Sequence, residues 1–334
     1  MRVKLYKGFF SIVRKSGVGK AIEHQTEMLE KVGVKTTSKW GNDVKIVHIN
    51  TVLPDSPIEA ILARIRRKKI VYYGHSTMED FKNSFVGSNL LAPLFKRWII
   101  SCYNHGDVII TPTPYSKKLL ESYKIKKPIY SLSNGIDADF FSPSEERRLE
   151  FRKKYNLDSE QKAVISVGHF IERKGILDFI ELARSMPDVK FFWFGYTSPT
   201  LVPKHINDAM KNAPPNLLFP GYVERDELKE AYCGCDLFAF LSNEETEGIV
   251  VLEALACGIP AIVRDIPVYE EWLVDGKNVY KAKDLSGFIE KTSTILTGKL
   301  PSLVNEGLAT AHERSLESVG KKLLEIYRSA NFIS

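Results

Sequence analysis

The sequence contains no run of about 18 apolar residues, so it offers no transmembrane helix, and any contact with a bilayer would be peripheral. Its N-terminus, Met1-Arg-Val-Lys-Leu-Tyr-Lys-Gly-Phe-Phe, lacks the unbroken apolar core and small-residue cleavage site of a secretory signal, because charges recur too often. That stretch reads as a first strand, and the protein is expected in the cytoplasm. Cysteine is scarce. Cys102, Cys233, Cys235 and Cys257 include a single Cys-x-Cys, which matches neither a zinc ribbon nor a redox pair, so reduced, buried thiols are expected. No tract of Pro, Gly or Ser and no long block of like charge marks a disordered tail.

The 334 residues that are present exceed what one hydrophobic core usually organises, so two domains are expected. The net charge of +6 conceals an asymmetry. Residues 1–140 carry 23 Lys and Arg against 12 Asp and Glu, whereas the remainder carries 24 against 29. A basic half suits a polyanionic partner such as an anionic membrane, and a solvated basic surface is the alternative. Nucleic acid is not expected as a partner, because the basic half lacks interleaved aromatic and basic stacking motifs.

Short apolar, β-branched runs alternate with longer helical patterns. Residues 44–49, 70–73, 108–111 and 129–132 read as buried strands separated by helices, the grammar of a parallel, doubly wound sheet. A charged helix over 145–155 interrupts the series. A second series then runs through 163–167, 190–194, 216–219, 237–240, 261–263 and 278–280. The expected architecture is α/β, with an N-terminal lobe over 1–140, a C-terminal lobe over 141–315 and a final helical segment over 316–334. That segment is amphipathic, and periodicity does not say which lobe it joins. Open α/β sheets bind ligands at the carboxyl ends of their strands, so the chemistry is expected in the cleft between lobes.

Glu245-Thr-Glu-Gly-Ile-Val-Val-Leu-Glu253 follows the strand 237–240 and runs into a helix-forming stretch. A helix start presents unpaired backbone N–H groups to an anion, and Gly248 would let a diphosphate approach, with Gly248 and Ile249 as donors. Glu245 and Glu253 would not hold phosphate, so they suit hydroxyl groups, one on a ribose and one on a hexose. The spacing fits equally well an acidic cap on a helix dipole. In the first lobe, Ser16-Gly-Val-Gly-Lys20 precedes a helical run over 21–32. It is not a P-loop, since Arg14 and Ala21 stand where that motif needs Gly and Ser or Thr, but Gly17 and Gly19 could admit a ligand or form a plain turn. His75 ends a strand where side chains point into the cleft. A core or capping histidine beside Ser76 and Thr77 is the alternative.

The nine-residue string from Glu245 to Glu253, followed by Ala-Leu-Ala-Cys-Gly-Ile-Pro260, resembles the signature of glycosyltransferase family four, although Thr246 and Glu247 replace a glycine and an aromatic residue. Ser166-Val-Gly-His-Phe-Ile-Glu-Arg-Lys-Gly175 resembles the family's glycine–basic loop, with His169 where an arginine is usual. The resemblance implies a retaining, GT-B-fold glycosyltransferase using a UDP-hexose and no metal or other cofactor. It implies catalytic roles for Glu245, Lys174 and His75. It also implies donor-binding roles for Gly17, Gly19, Gly168, His169, Arg173, Gly248, Ile249 and Glu253, and for Tyr222 and Val223 against the base. Arg173 would replace the charge missing at His169. Asp137-Ala-Asp139 lies at an interdomain turn and is not read as a metal motif.

Arg64, Arg66, Arg67, Lys68 and Lys69 cluster beside a strand, and Lys96, Arg97 and Trp98 sit in an apolar segment over 90–100. That mixture suits the face of an anionic membrane, with a core helix and snorkelling cations as the alternative. The chain as a whole, including the string from His75 to Phe85, resembles bacterial diglycosyl-diacylglycerol synthases. That implies transfer of glucose or galactose from a UDP-sugar to monoglucosyl-diacylglycerol, at the inner face of the cell membrane, for the glycolipid anchor of lipoteichoic acid. A glycosyltransferase acting on a soluble or polyprenyl-linked sugar and a non-catalytic membrane scaffold are the rival readings.

Overall fold

A computed structural model describes residues 1–8, 17–82 and 87–333. Arg14, Ser16 and the 83–85 end of the string beginning at His75 lie outside the described residues. The first lobe runs β1 (Arg2–Tyr6), α1 (Gly17–Lys31), β2 (Lys35–Thr37), β3 (Val44–Ile49), α2 (Asp55–Ile65), β4 (Lys69–Tyr73), α3 (Met78–Phe81), α4 (Ser88–Tyr103), β5 (Val108–Thr111), α5 (Pro114–Ser122) and β6 (Ile129–Ser131). The second runs α6 (Glu145–Lys154), β7 (Ala163–Val167), α7 (Ile176–Ser185), β8 (Lys190–Phe194), α8 (Lys204–Lys211), β9 (Leu217–Gly221), α9 (Arg225–Gly234), β10 (Leu237–Phe240), α10 (Ile249–Ala256), β11 (Ala261–Arg264), β12 (Tyr280–Ala282), α11 (Leu285–Leu296) and α12 (Val304–Glu313). A last helix, α13, covers Leu316–Ser329.

Among the described residues the strands form two six-stranded sheets, ordered β2-β1-β3-β4-β5-β6 and β12-β11-β10-β7-β8-β9. Every strand pair is parallel, as in Val71 opposite Val108 and Phe238 opposite Ala261. Parallel strands covered on both faces need apolar residues throughout, and Val108–Thr111 and Leu237–Phe240 are buried at every position. This is the two-lobed α/β architecture expected of a GT-B enzyme. The order β3-β4-β5-β6 with right-handed crossovers puts α2, α4 and α5 on one face, around Ala60, Ala63, Ile99 and Leu120. The step back to β2 puts α1 on the other face.

Helix ends follow local chemistry. Thr113 accepts a hydrogen bond from the Ser116 amide, and Pro114 occupies the first turn of α5. Ser144 caps α6, whose first turn is acidic and last turn basic, matching the helix dipole.

Helix α13 packs on the first lobe. Leu316, Val319, Leu323 and Tyr327 share a core with Val3, Leu5, Met28 and Leu29 of β1 and α1. Gly320 makes this possible, since a β-carbon there would lie 2.7 Å from the Met28 carbonyl oxygen. The chain therefore crosses between the lobes twice, near Asn134 and near Ser315, and the crossings pair. The Ile136 amide donates to the Arg314 carbonyl at 2.9 Å, and the Leu316 amide donates to the Ile136 carbonyl at 3.0 Å.

Two expectations shift. Among the described residues helix α1 already includes Gly17 and Gly19, ahead of the expected start at residue 21, so both glycines are helical rather than in a preceding loop. The last strand begins at Tyr280 instead of Asn278. The Asn278 side chain closes a loop, accepting from the Val274 amide and donating to Trp272 and Thr310.

Candidate active site

The loop from β10 to α10 faces the first lobe across the cleft. Gly248, at φ +86°, starts α10, and no side chain caps that end. A β-carbon at Gly248 would lie 2.9 Å from the Tyr269 hydroxyl, so both backbone angle and space require glycine. The Val251 amide donates to the Gly248 carbonyl at 2.9 Å, and the Ile249 and Val250 N–H groups ahead of it lack intrahelical acceptors, as an anion site needs.

Glu245 meets Lys174 in this loop. Lys174 ends a short 3-10 turn, Glu172–Lys174, and Gly175 follows at φ +77°. A β-carbon on Gly175 would fall 2.1 Å from the Leu241 carbonyl oxygen, so the turn rests directly on the end of β10. The Asn243 amide donates to the Arg173 carbonyl at 2.8 Å, and the Ser242 hydroxyl donates to the same oxygen at 3.2 Å. These contacts bring the Lys174 ammonium onto the Glu245 carboxylate as a salt bridge. Glu245 is only 6% exposed. Burial pushes its carboxyl upward, but the charges of Lys174 and Arg173 outweigh burial and hold it below the usual range.

Arg173 pairs with Asp80 of α3 at 2.8 Å and donates to the Glu244 carbonyl at 2.7 Å, so its guanidinium joins the lobes beside Lys174. His169 shares a 2.6 Å hydrogen bond with the Tyr196 carbonyl, and burial lowers its pKa, with the Lys174 and Arg173 charges acting in the same sense. It is a neutral ring at neutral pH. The Gly168 amide donates to Phe194, and its carbonyl accepts from the Trp193 indole at 2.9 Å.

Glu253 lies inside α10, buried, and accepts a hydrogen bond from the Tyr232 hydroxyl at 2.9 Å. Burial raises its pKa, opposed by the charge of Lys20 from the first lobe, the Tyr232 bond and the charge of Arg225. Tyr222, beyond β9, is 43% exposed, while Val223 packs on the core of the second lobe. Glu244 accepts from Tyr115 of the first lobe at 3.1 Å, and burial drives its carboxyl up to about 7. Beside it opens a cavity of about 410 Å³ lined by Glu79, Lys82, Glu172, Arg173, Asn243 and Glu244, with walls from both lobes.

His75 is buried and its Nε2 lies 3.0 Å from Asn50 Oδ1, with the ring stacked on Tyr73. Burial lowers its pKa to about 4, so it acts as a neutral hydrogen-bonding ring. It ends a polar chain that sequence reasoning missed. Asn50 bonds Gln25 of α1, Gln25 meets His48 Nδ1, and His48 Nε2 meets the Tyr327 hydroxyl of α13. His48 lies in a strand that reads as apolar, so only tertiary packing brings these groups together.

On the outer face of the first lobe, Arg64, Arg66, Arg67 and Arg97 are exposed. Arg64 donates to the His105 carbonyl, Arg66 stacks on Trp40, and Lys68 reaches the Asn42 carbonyl. Lys96 covers the Tyr123 ring and Lys69 the Phe332 ring, so these two ammonium groups are spent on aromatic faces. The Trp98 indole donates to the Val52 carbonyl at 2.6 Å, joining α4 to the entry of α2. Around these cations stand exposed apolar side chains on both helices: Ile58, Ile61 and Ile65 on α2, and Leu90, Leu91 and Leu94 on α4, with Ile65 72% and Leu90 86% exposed. The α2 stripe was missed, although its spacing of three and four residues was visible.

All four cysteines are free and buried. Among the described residues no group of three or more His, Cys, Asp or Glu could hold a metal ion, and no helix is long and apolar enough to cross a membrane.

Two Rossmann-like lobes facing each other across a cleft define the class, and the chain belongs to the glycosyltransferases. The family model for glycosyl transferases group 1 matches residues 147–307, and that for glycosyltransferase family 4 matches residues 34–140. The chain is 40% identical to the processive diacylglycerol alpha-glucosyltransferase of Acholeplasma laidlawii over 330 residues, covering 98% of each. It is 27% identical to the alpha-galactosylglucosyldiacylglycerol synthase of Streptococcus pneumoniae over 234 residues, 68% of this chain and 62% of that protein. Anabaena HepE, solved with UDP and glucose, shares the fold with a TM-score of 0.80 at 16% identity, over 98% of this chain and 99% of the other. The chain is thus an enzyme, and the reading as a non-catalytic scaffold is set aside.

Proposed function

We propose that this enzyme moves glucose or galactose from a UDP-hexose to monoglucosyl-diacylglycerol, with retention at the anomeric carbon, on the surface of an anionic membrane. The observation that carries the donor half is the Lys174–Glu245 pair at the open N-terminus of α10, facing the cleft. In this reading Lys174 and the N–H groups from Gly248 and Ile249 hold the diphosphate, Glu253 takes the ribose hydroxyls and Glu245 the hexose hydroxyls. Gly17, Gly19 and Gly168 flank the phosphates, Tyr222 and Val223 flank the base, and His75 donates or accepts one hydrogen bond at the sugar.

Transfer then needs no protein nucleophile. The acceptor hydroxyl oxygen bonds to the anomeric carbon on the face that the diphosphate leaves. The bond from that carbon to the phosphate oxygen breaks, and the leaving oxygen takes the acceptor proton. The protein's contribution is electrostatic, stabilising charge that grows on the departing diphosphate, together with positioning of both sugars.

The acceptor half is supported by the names of the relatives, which specify diacylglycerol and its glycosylated forms. The exposed apolar and cationic side chains of α2 and α4 support peripheral binding at the cytoplasmic membrane face. Isoleucine and leucine side chains would enter the headgroup boundary while each Lys or Arg near an anionic surface contributes about 1 kcal/mol. The diglycosyl product fits a glycolipid anchor such as that of lipoteichoic acid.

The test offers purified protein UDP-glucose and UDP-galactose with vesicles containing monoglucosyl-diacylglycerol, plain diacylglycerol or neither, and identifies the lipid product by mass spectrometry. A diglycosyl lipid from one donor supports the proposal. Failure with every lipid, alongside transfer to a soluble or polyprenyl-linked sugar, would defeat it. Co-sedimentation with phosphatidylglycerol vesicles, weakened in Ile61→Asp and Leu94→Asp, checks the membrane face separately.

A further inference from the structure

Thr246 and Glu247 depart from the glycine and aromatic residue of the family signature, and the structure gives both a use. Glu247 is 2% exposed, inside the protein between the lobes. Its Oε2 accepts from the Asn134 amide at 3.0 Å and from the Asn134 side-chain Nδ2 at 2.8 Å. The charge of Arg314, at the second crossing, also acts on it. Asn134 belongs to the first interlobe crossing, where Gly135 is held by His24 of α1 at 2.9 Å and Ile136 pairs with the second crossing. The preceding residue is anchored as well. The Thr246 carbonyl accepts from Thr113 Oγ1 at 2.9 Å and Ser116 Oγ at 3.0 Å, both at the start of α5 in the first lobe. Glu245 immediately precedes Thr246, in its salt bridge with Lys174.

A carboxylate in such a place is costly unless its oxygens are satisfied, and only one arrangement of the lobes satisfies them. An apolar residue at 247 would fill the space without discriminating among arrangements. We infer that Glu247 is a positioning residue that ties the loop carrying Glu245 to the interlobe crossings, so that Glu245 is set for the donor hexose only while the lobes hold this relation. Rotation of one lobe against the other pulls on Asn134 and on the Thr246 carbonyl, and the loop moves with them. This rests on the proposed role of Glu245 at the hexose.

The test combines two readouts on Glu247→Ala, Glu247→Gln and Asn134→Ala in the full chain. The first is amide hydrogen exchange without any substrate. Loss of bonds to a buried charged group predicts roughly tenfold or faster exchange at Asn134, at Ile136 and through 241–248 in Glu247→Ala, with β7 and β8 unchanged. The second is kinetic. Glu247→Ala should lower kcat with the donor by about tenfold while the Kd for UDP, whose proposed contacts lie mostly in the second lobe, changes less than about threefold. Glu247→Gln keeps an acceptor oxygen for Asn134 and should recover most of both, which separates positioning from misfolding. The double variant Glu247→Ala/Asn134→Ala should be no worse than Glu247→Ala, because the two side chains share one set of bonds. Exchange that quickens at Asn134 but not through 241–248, a wild-type kcat in Glu247→Ala, or independent losses in the double variant would overturn the inference. If the wild type transferred no hexose at all, the proposed function would fail, and the exchange experiment would still decide whether the tie exists.

Discussion

Replacing Lys174 by Ala separates two tasks, one observed and one proposed. In the resting protein Lys174 offsets the buried charge of Glu245, and in the proposed reaction it faces the diphosphate. Removing one partner of a buried pair typically costs 3–5 kcal/mol, and the Arg173 charge, which also lowers the Glu245 pKa, puts this case near about 3 kcal/mol. For a lobe of this size that is roughly 6–12 °C in melting temperature. The pH dependence should also weaken. In the wild type Glu245 sits below its ordinary value of 4.5, so its contribution is present above that pH and is lost on acidification through the lower folded value. Without Lys174, burial is opposed only by the Arg173 charge and the Ser242 hydrogen bond, so the folded value rises and less stability is lost on acidification. Losing a cation from the departing diphosphate should lower kcat by about 10²–10³. Scanning calorimetry over a pH series and donor turnover read the two tasks independently. Lys174→Met/Glu245→Gln, which removes both charges at nearly constant volume, should regain most of the stability and none of the activity. An unchanged melting temperature and pH slope in Lys174→Ala would refute the charge-pair reasoning, and an unchanged kcat would refute the diphosphate role.

Tyr232→Phe removes the hydroxyl that donates to Glu253, and UDP affinity by calorimetry should fall about tenfold; unaltered affinity would remove Glu253 from the ribose site. Gly175→Ala forces a β-carbon to within 2.1 Å of the Leu241 carbonyl at φ +77°, and urea unfolding should show a loss of at least about 2 kcal/mol, with no loss contradicting the backbone contact. Glu244 has a folded pKa raised by burial, so its contribution to stability declines as pH climbs from 4.5 to about 7; Glu244→Gln should flatten that part of the melting profile, and an identical profile would show that Glu244 does not titrate there.

The strands were legible because buried parallel strands must be apolar along their whole length, and Val44–Ile49, Val108–Thr111, Ala163–Val167, Lys190–Phe194 and Leu237–Phe240 fall where the pattern places them. The edge strand Lys35–Thr37 carries no such pattern, being three polar residues at the rim of the sheet. The destination of α13 was not legible, since its apolar face fits either lobe and the choice depends on the close approach at Gly320. In the site, the motif spacing located Lys174 and Glu245 but not their contact, which depends on Gly175 seating the turn on β10. A loop charge beside Lys174 is a reasonable neighbour for phosphate, but the pairing of Arg173 across the cleft was not legible. Its partner, Asp80, is 93 positions away in the sequence and in the other lobe. Such interlobe pairs are fixed by the relation of two sheets, which no local pattern encodes.

The most direct measurement is the initial rate at which labelled hexose from UDP-glucose or UDP-galactose enters lipid, on anionic vesicles bearing monoglucosyl-diacylglycerol, for the wild type beside Glu245→Ala. Labelling of a diglycosyl lipid by the wild type, reduced about a hundredfold or more in the variant, is the expected result. No labelled lipid from either donor with the folded wild type, or equal rates for the two proteins, would contradict the assignment of this cleft to glycolipid synthesis through Glu245.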